Sequence, residues 1–469
     1  MNIDNTIFRT NDIRGEVDKN FTPEVVKVIG RAYAIYLKIK FRGKPLTVSV
    51  GRDIRLHSEK LKDALISGIL SEGVNVINLG VCPTPVLYFS LFNLSVDGGI
   101  MITGSHNPPE FNGMKVCIGK ETIYGEEIQK IYKITQSFPL ITEDKKGKLR
   151  NFNILLKYRN FLLNEFKGIK KFKNSISIAI DSGNGCAGTI VPQVLRKLGV
   201  KVFELYSEPD GNFPNHHPDP TLIETLDTLK DTVKNNNLDF GIAYDGDVDR
   251  LGVIDGRGEL VYGDKLLYIF AKDVLTHHPG GKIIGEVKCS RTLFDGIKEL
   301  GGIPVISPVG HSLIKKKIKE EEALLAGEMS GHMFFSDKYF GFDDAIYATL
   351  RLIEIFAKEK IKNNNFKFSD LLKNLPKMYA SPEIRITCKD EEKFALIEQF
   401  LAKYKEKFPD LAQKIKKTIT IDGVRIEFSD GWGLIRASNT EPVLVMRFEA
   451  ITKEALKKYE KSFKITVLK

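Results

Sequence analysis

Ser105 lies in a loop whose composition could support nucleophilic chemistry. Residues 103–109 read Thr-Gly-Ser-His-Asn-Pro-Pro and follow the apolar run 98–102, which predicts a strand. The two prolines exclude a helix here, so the serine is expected on a rigid loop at the end of a strand. A serine hydroxyl needs activation to act as a nucleophile, and His106 is a potential proton carrier. Taken alone, such a serine is more often only a turn residue.

Asp245, Asp247 and Asp249 form a second candidate site in the motif Asp-Gly-Asp-Val-Asp-Arg. They follow the apolar run 238–244, and alternate residues of an extended chain point to the same side. Such carboxylates repel each other unless a cation lies among them, and hard oxygen ligands suit Mg²⁺ or Ca²⁺. Arg250 stands where an EF-hand loop needs glycine, which excludes that motif. A solvated acidic turn is the alternative, but the preceding strand and the neighbouring glycines favour a metal site.

Two further loops carry groups suited to sugars and phosphates. In the motif Gly-Glu-Met-Ser-Gly-His, Glu328 and Ser330 could hydrogen-bond to sugar hydroxyls. The motif Arg-Ala-Ser-Asn-Thr offers a guanidinium, two hydroxyls and an amide, which could surround a phosphate dianion. The residues of this last motif that could do so are Arg436, Ser438, Asn439 and Thr440. Each motif alone is also compatible with a surface turn.

The elements that must position these loops follow two patterns. Three segments each read as an apolar strand, a small-residue turn, a helix and a glycine-marked return strand, which predicts parallel sheets. These units begin at residues 46, 176 and 282. From about residue 367 onward, short strands alternate with two lysine-rich helices, which predicts a small α+β domain with an antiparallel sheet. In that part, strands are predicted over 381–387, 418–428, 433–437 and 443–450.

The predicted architecture is therefore α/β: three tandem, similar α/β domains and a C-terminal α+β domain around a central cleft. The predicted segments are 1–152, 153–256, 257–366 and 367–469. They carry the serine loop, the aspartate loop, the sugar loop and the phosphate loop, respectively. Ligands of open α/β sheets bind outside the carboxyl ends of the strands, so these loops can converge on one cleft. Isolated basic or imidazole groups that could join them are Arg14, Lys115, Lys288 and His311.

Composition restricts the classes of protein that remain. The chain has 469 residues, of which 42% are hydrophobic and 28% charged, as in an ordinary globular protein. No apolar stretch approaches the length of a membrane helix, and no leader peptide is expected. Five scattered cysteines argue against a disulfide framework or a zinc site and favour a reducing cytoplasm.

The net charge of +10 has three interpretations. Nucleic-acid binding is one, but the lysines are dispersed among glutamates and show no aromatic-interleaved patch. A lysine-rich surface and attraction of an anionic small substrate are the others. Together, the candidate nucleophile, metal site, hydroxyl-binding loop and phosphate loop suit phosphoryl transfer on a sugar phosphate.

The four motifs, in this order, resemble the α-D-phosphohexomutase superfamily, most closely its phosphomannomutase/phosphoglucomutase branch. The resemblance extends over essentially the whole chain. It implies reversible interconversion of hexose 1-phosphate and hexose 6-phosphate through a phosphoserine and a 1,6-bisphosphate. It further implies one Mg²⁺ per chain, glucose 1,6-bisphosphate as an activator, a cytoplasmic monomer, and neither nucleic acid nor membrane as a partner.

The resemblance also implies roles for single residues. Ser105 resembles the phosphoserine, whose phosphate would complete a metal site made by Asp245, Asp247 and Asp249, with Arg250 close by. Glu328 and Ser330 resemble the pair that binds the sugar O3 and O4 hydroxyls. The phosphate that is not transferred would be held by Arg436, Ser438, Asn439 and Thr440. The groups implied around the transferring phosphate and sugar are Arg14, His106, Lys115, Lys288 and His311, with either Lys115 or His106 moving the hydroxyl proton.

Departures from the family pattern leave alternatives open. Asn11 stands where this branch often has tyrosine, which could alter closure on the ligand or sugar preference, and Pro308-Val309 replaces a commoner Lys/Arg-Thr pair. Phosphoglucosamine mutase is the nearest rival, although Met329 stands where that branch typically has glutamine. A metal-dependent phosphatase and a basic nucleic-acid-binding protein are the rivals of other classes.

Overall fold

The structure is a computed structural model that describes residues 3–137, 146–173, 175–438 and 442–467, the side chain of Asp390 excepted. Within these ranges the strands form four sheets. Single 3₁₀ turns occur at Asn5–Ile7, Lys167–Phe172, Cys186–Thr189, Ile223–Leu226 and Phe368–Leu372. No helix in the described part of the chain is both long and apolar enough to cross a membrane.

The first sheet has a parallel centre and an antiparallel side. Its strands are β1 (Ile13–Glu16), β2 (Thr47–Arg52), β3 (Asn75–Val81), β4 (Gly98–Ile102), β5 (Phe111–Ile118), β6 (Glu121–Thr122) and β7 (Leu149–Asn151). They lie in the order β1-β5-β4-β2-β3-β7, with β6 beside β5. The accompanying helices are α1 (Pro23–Lys40), α2 (Ser58–Ser71), α3 (Thr84–Asn93) and α4 (Glu126–Gln136), and α5 (Ile154–Glu165) leads to the second sheet.

The second and third sheets repeat the strand–helix–strand arrangement. The second contains β8 (Ser177–Asp181), β9 (Lys201–Leu205), β10 (Phe240–Tyr244), β11 (Leu251–Asp255) and β12 (Leu260–Val261), with helices α6 (Val191–Lys197) and α7 (Asp227–Asn235). The third contains β13 (Lys282–Glu286), β14 (Ile303–Ser307), β15 (Leu325–Gly327) and β16 (Met333–Phe335). Its helices are α8 (Gly263–His277), α9 (Arg291–Glu299), α10 (His311–Glu321) and α11 (Ala345–Lys362).

The fourth sheet is antiparallel, as the sequence predicts. It contains β17 (Tyr379–Ala380), β18 (Ile384–Thr387), β19 (Lys417–Ile419), β20 (Val424–Glu427), β21 (Gly431–Ala437) and β22 (Val443–Ala450). Helices α12 (Asp390–Lys407), α13 (Pro409–Ala412) and α14 (Lys453–Val467) accompany it.

The three predicted strand–helix–strand units are confirmed, since β2 and β3, β8 and β9, and β13 and β14 each pair in parallel. Helix α6 begins at Val191, because a 3₁₀ turn precedes it and Pro192 occupies its first turn. The strand predicted over 418–428 is two strands joined by a turn. Strand β12 pairs with β11, so the second sheet extends beyond residue 256, where the sequence predicts the second segment to end.

The largest hydrophobic cluster is shared among the first three sheets. One buried cluster extends from Ile77 to Leu371 and draws on all three α/β units and on α5. A second cluster, from Ile3 to Ile131, lies within the first unit. The C-terminal unit has its own cluster, from Phe400 to Phe463. The three α/β units are therefore held together by burial of a large apolar surface, whereas the C-terminal unit meets the third unit through the small apolar cluster of Val287, Trp432 and Leu434.

Helices α1 and α2 pack so closely that Gly68 has no room for a side chain. A Cβ at Gly68 would lie 2.1 Å from the carbonyl oxygen of Lys27 in α1. That distance is far below van der Waals contact, so any larger residue must push the two helices apart.

We predict that Gly68→Ala lowers the free energy of unfolding by about 1–3 kcal/mol, although alanine is intrinsically the better helix former by about 1 kcal/mol. Urea denaturation followed by circular dichroism measures the change. Gly168→Ala is the matched control, because the nearest atom to its added Cβ would be 3.9 Å away. A variant at Gly68 as stable as the wild type would contradict this close packing.

Candidate functional site

The serine, aspartate, sugar and phosphate loops each follow the carboxyl end of a strand: β4, β10, β15 and β21, respectively. Contacts join each loop to the next. Ser105 Oγ lies 2.9 Å from Asp245 Oδ2, and His332 Nε2 lies 3.2 Å from Asp249 Oδ1. Arg436 contacts Asp422, which also accepts a hydrogen bond from Val309 N. The structure thus links the predicted loops through direct contacts, although Asn439 and Thr440 lie outside the described residues.

Ser105 is held in a strained backbone conformation. Its φ is +48°, in the left-handed region that non-glycine residues seldom adopt. The backbone N–H donates to Thr103 Oγ1 at 2.9 Å, and the hydroxyl donates to Asp245 Oδ2 and lies 3.1 Å from His106 Nδ1. The side chain is therefore aimed at the carboxylate cluster. Such strain persists only where contacts with neighbouring residues hold the backbone in that conformation.

Arg55 supplies many of those contacts, and sequence reasoning missed it. Its guanidinium is buried and donates to the carbonyl oxygens of Ser105 at 2.9 Å, Pro108 at 2.6 Å and Phe111 at 3.0 Å, and also to that of Asn107. One cation thus gathers four carbonyl oxygens between Ser105 and Phe111. The available signal was its position just after β2, at the same edge of the sheet as the serine loop.

Asp245, Asp247 and Asp249 are fully buried, and their carboxylate oxygens lie within 4.8 Å of one another. Lys115 Nζ, on β5, donates to Asp247 Oδ2 at 2.8 Å and also to Asp249. Asp247 Oδ1 is buried with no hydrogen-bond partner among the described residues. Hard oxygen donors, excess negative charge and an unpaired buried oxygen fit a divalent cation such as Mg²⁺.

Burial and mutual repulsion set the protonation of this cluster. Burial, reinforced by Asp249 and Asp247, raises the pKa of Asp245 well above its ordinary value. Burial opposes the charge of Lys115, but the adjacent carboxylates of Asp247 and Asp249 outweigh it and raise the pKa of the ammonium. Burial, together with Arg250 and Arg14, lowers the pKa of His106 well below its ordinary value. These shifts favour the ammonium form of Lys115 and the neutral form of His106.

The sugar loop is organised by His332, which the sequence prediction left without a role although it ends the motif. Its Nδ1 lies 2.7 Å from Glu328 Oε2 and 3.1 Å from Ser330 Oγ. Burial disfavours its charge, but Asp249 and Glu328 raise its pKa to about 9. The imidazolium thus bridges the aspartate loop and the sugar loop.

Glu286, also missed, connects the sugar loop to Lys288. It is fully buried at the end of β13 and accepts hydrogen bonds from the backbone N–H of Lys288 at 3.0 Å and of Met329 at 3.2 Å. Lys288 Nζ reaches across to Glu383 of the C-terminal unit at 3.3 Å. Lys288 therefore lies on the boundary between the third and fourth sheets.

The remaining predicted residues occupy the edges of the cleft. Arg14 Nη1 donates to Asn107 Oδ1 at 2.7 Å, and the backbone N–H of Arg250 donates to Asp245 Oδ1 at 3.1 Å. His311 begins α10, with Nδ1 3.7 Å from Asp343 Oδ2. Ser438 is buried, and its backbone N–H donates to Val443 O at 3.0 Å.

Asn11, the departure from the family pattern, lies between the first and third units. A Cβ at Gly310 would be 3.2 Å from Asn11 Nδ2, so this side chain borders the loop that leads to His311. Asn11 Oδ1 is buried with no hydrogen-bond partner among the residues that the structure describes.

Four domain families match consecutive parts of the chain. They are described as "Phosphoglucomutase/phosphomannomutase, alpha/beta/alpha domain I", the corresponding domains II and III, and "Phosphoglucomutase/phosphomannomutase, C-terminal domain". The matched residues are 5–139, 157–258, 262–379 and 383–465, respectively.

Individual relatives are similar over nearly their whole length. The phosphomannomutase/phosphoglucomutase of Pseudomonas aeruginosa is 44% identical over 459 residues, which cover 98% of this chain and 95% of that protein. The phosphoglucomutase of Neisseria gonorrhoeae is 41% identical over 462 residues, 98% of this chain and 96% of that protein. The solved structure of a phosphoglucomutase/phosphomannomutase family protein from Burkholderia thailandensis aligns with a TM-score of 0.89 and 38% identity, covering 99% of this chain and 97% of that one. The resemblance inferred from the motifs is thus confirmed, and the chain belongs to the phosphoglucomutase/phosphomannomutase family of phosphohexomutase enzymes.

Proposed function

We propose that the protein interconverts hexose 1-phosphates and hexose 6-phosphates, with glucose and mannose phosphates as substrates and Ser105 as the residue that carries the phosphoryl group. One observation supports this most strongly. The Ser105 hydroxyl lies 2.9 Å from Asp245 Oδ2, in a buried carboxylate cluster. The hydroxyl-binding loop and the buried Arg436 are linked to that cluster through neighbouring contacts. A site of this kind can donate a phosphoryl group at one end of a sugar while it holds the other end.

The proposed reaction divides the work among the loops. Phosphorylated Ser105 transfers its phosphoryl group to one hydroxyl of a hexose monophosphate. The proton of that hydroxyl passes to His106, or to Lys115 after the ammonium has given up a proton of its own. Positive charge from Arg14 and Arg250 stabilises the in-line transition state. The 1,6-bisphosphate then reverses its orientation in the site, and its other phosphoryl group is transferred back to Ser105. Glucose 1,6-bisphosphate would act as an activator, because it can supply the phosphate that first loads the serine.

The substrate is proposed to be held by two sets of residues. Glu328 and Ser330 bind the sugar hydroxyls. The distal phosphate is bound by Arg436, Ser438, Asn439 and Thr440, whereas Lys288 and His311 lie around the transferring phosphate and the sugar. Such groups recognise a phosphate and equatorial hydroxyls but not the end of the sugar, so both orientations of the bisphosphate can bind.

Mg²⁺ is proposed as the cation of the aspartate loop, held by Asp245, Asp247, Asp249 and the phosphate on Ser105. When bound, it would supply positive charge next to the phosphoryl group that is being transferred. The unpaired Asp247 Oδ1 supports a ligand at this point.

We also propose that the enzyme acts as a monomer in the cytoplasm. Loops of a single chain make up the whole cleft, so no second subunit is needed to complete it. The buried thiols of Cys82, Cys117, Cys186 and Cys289 suit a reducing compartment.

A side-by-side mutase assay tests the function. Glucose 1-phosphate, mannose 1-phosphate and glucosamine 1-phosphate are compared with Mg²⁺ and catalytic glucose 1,6-bisphosphate, while released phosphate is monitored. We expect comparable kcat/KM on the first two sugars and little phosphate release. A preference for the amino sugar would place the protein with the phosphoglucosamine mutases. Phosphate release at the mutase rate would identify a phosphatase.

We predict that Ser105→Ala lowers mutase turnover by about three orders of magnitude or more, because the group that carries the phosphoryl is lost. Ser137→Ala, at an exposed serine just after α4, should leave turnover unchanged. Near-normal turnover of the Ser105 variant would rule out this serine as the nucleophile.

We predict that Arg436→Ala raises KM about 10–100-fold and lowers kcat by less, since a charge-assisted bond to a phosphate contributes about 1.5–3 kcal/mol to binding. Arg42→Ala, at an exposed arginine, serves as the control in the same steady-state assay. An unchanged KM would show that Arg436 does not bind the distal phosphate.

We predict that Asp247→Asn weakens Mg²⁺ binding at least about 10-fold, because a ligating carboxylate loses its charge. Isothermal titration calorimetry with Mg²⁺ measures the affinity, and Asp231→Asn, at an exposed position on α7, is the control. Equal affinity in the wild type and the Asp247 variant would place the cation elsewhere.

A further inference from the structure

We infer that Asp422 is a positioning residue that orients Arg436 and joins the phosphate loop to the sugar loop. The inference rests on the proposed function, in which Arg436 holds the distal phosphate. Asp422 lies in the turn between β19 and β20, and neither a sequence motif nor the proposed reaction involves it.

The contacts of Asp422 span two units of the fold. Its Oδ2 accepts a hydrogen bond from Arg436 Nε at 3.1 Å and lies 3.1 Å from Arg436 Nη2. The same oxygen accepts a hydrogen bond from Val309 N at 2.9 Å, and Val309 belongs to the third unit. The side chains of Arg436 and Asp422 are only 6% and 13% exposed, so solvent screens this ion pair far less than a surface pair.

The backbone around Asp422 explains why the carboxylate stays at this place. The neighbouring Gly423 has a φ of +83°, and a Cβ there would lie 2.2 Å from Ile435 O and 2.6 Å from Arg436 Cβ. The turn is therefore packed directly against β21, the strand that carries Arg436. Because the packing fixes the turn, the carboxylate and the guanidinium face each other at a set distance.

Val309 extends this link to the sugar loop. The next residue, Gly310, donates its backbone N–H to Glu328 Oε1 at 2.8 Å, and Glu328 Oε2 is the partner of His332. Asp422 and Glu328 thus hold consecutive backbone amides of one short segment. A phosphate bound by Arg436 would in this way be placed at a fixed distance from the group that reads the sugar hydroxyls.

The affinity for the phosphate distinguishes two possible roles of Asp422. If Asp422 orients Arg436, its removal weakens phosphate binding although one negative charge leaves the neighbourhood. If the carboxylate instead competes with the phosphate for the guanidinium, its removal strengthens binding. The two roles therefore predict opposite changes in phosphate affinity when Asp422 is replaced.

The test uses the full-length, Mg²⁺-loaded enzyme and glucose 1-phosphate. We expect Asp422→Asn to raise KM and the calorimetric Kd about 10-fold while kcat changes by less than about threefold. Asp422→Glu keeps the charge but displaces the carboxylate by one methylene, so it should raise KM as well, and it carries the test if the asparagine variant folds poorly. Asp410→Asn, at an exposed carboxylate on α13, is the control and should leave KM unchanged.

Two further measurements separate positioning from a general loss of structure. Combining Asp422→Asn with Arg436→Lys should raise KM no more than Arg436→Lys alone, because Asp422 acts through the arginine. Hydrogen exchange at the Val309 amide should accelerate in Asp422→Asn but not in the control.

Additive effects, an unchanged KM or a lower KM in Asp422→Asn would each overturn the inference. Failure of the wild type to bind any hexose phosphate would instead overturn the proposed function, and the inference with it.

Discussion

The buried negative charge of Asp247 and Asp249, next to the buried Asp245, is the constraint on which the rest of the site depends. Removing ions from water costs several kcal/mol each unless opposite charges and hydrogen bonds compensate. Here the compensating cations come from different units of the fold: Lys115 from the first, and His332 from the third. Neutralising a single cluster therefore fixes the relative positions of three sheets, and with them the serine and sugar loops.

The C-terminal unit is attached by a different kind of contact. Arg425 is buried, donates to the carbonyl oxygens of Val287 and Cys289 at 2.7 Å each, and stacks on Trp432. Glu449 accepts hydrogen bonds from Trp432 Nε1 and Ser290 Oγ, also at 2.7 Å. Directional polar bonds of this kind can break and re-form without exposing a large apolar surface. Such an interface would suit the proposed reaction, in which the site opens for the bisphosphate to reverse its orientation.

Much of this organisation could be predicted from local pattern. Alternating and 3.6-residue periodicities located the parallel units, and the glycine-rich motifs located Ser105 and the aspartates. The split of the strand over 418–428 was missed because Ile419 and Val424 continue the apolar pattern across a turn. Arg55 and Asp422 were missed for another reason: each acts through contacts with residues more than ten positions away, and nothing in their immediate sequence reveals such partners.

The shared core also constrains how the chain folds as it is made. The cluster within the first unit is complete once residue 131 has emerged, but the cluster shared by the α/β units includes Leu371. At about 5–20 residues per second, roughly 10–50 s of synthesis separate these two points. During that interval Phe89 of α3 and Phe161 of α5 lack Phe340, whose ring later packs against both. The nascent chain is thus most exposed to aggregation and to chaperones in the middle of its synthesis, well before the phosphate loop exists.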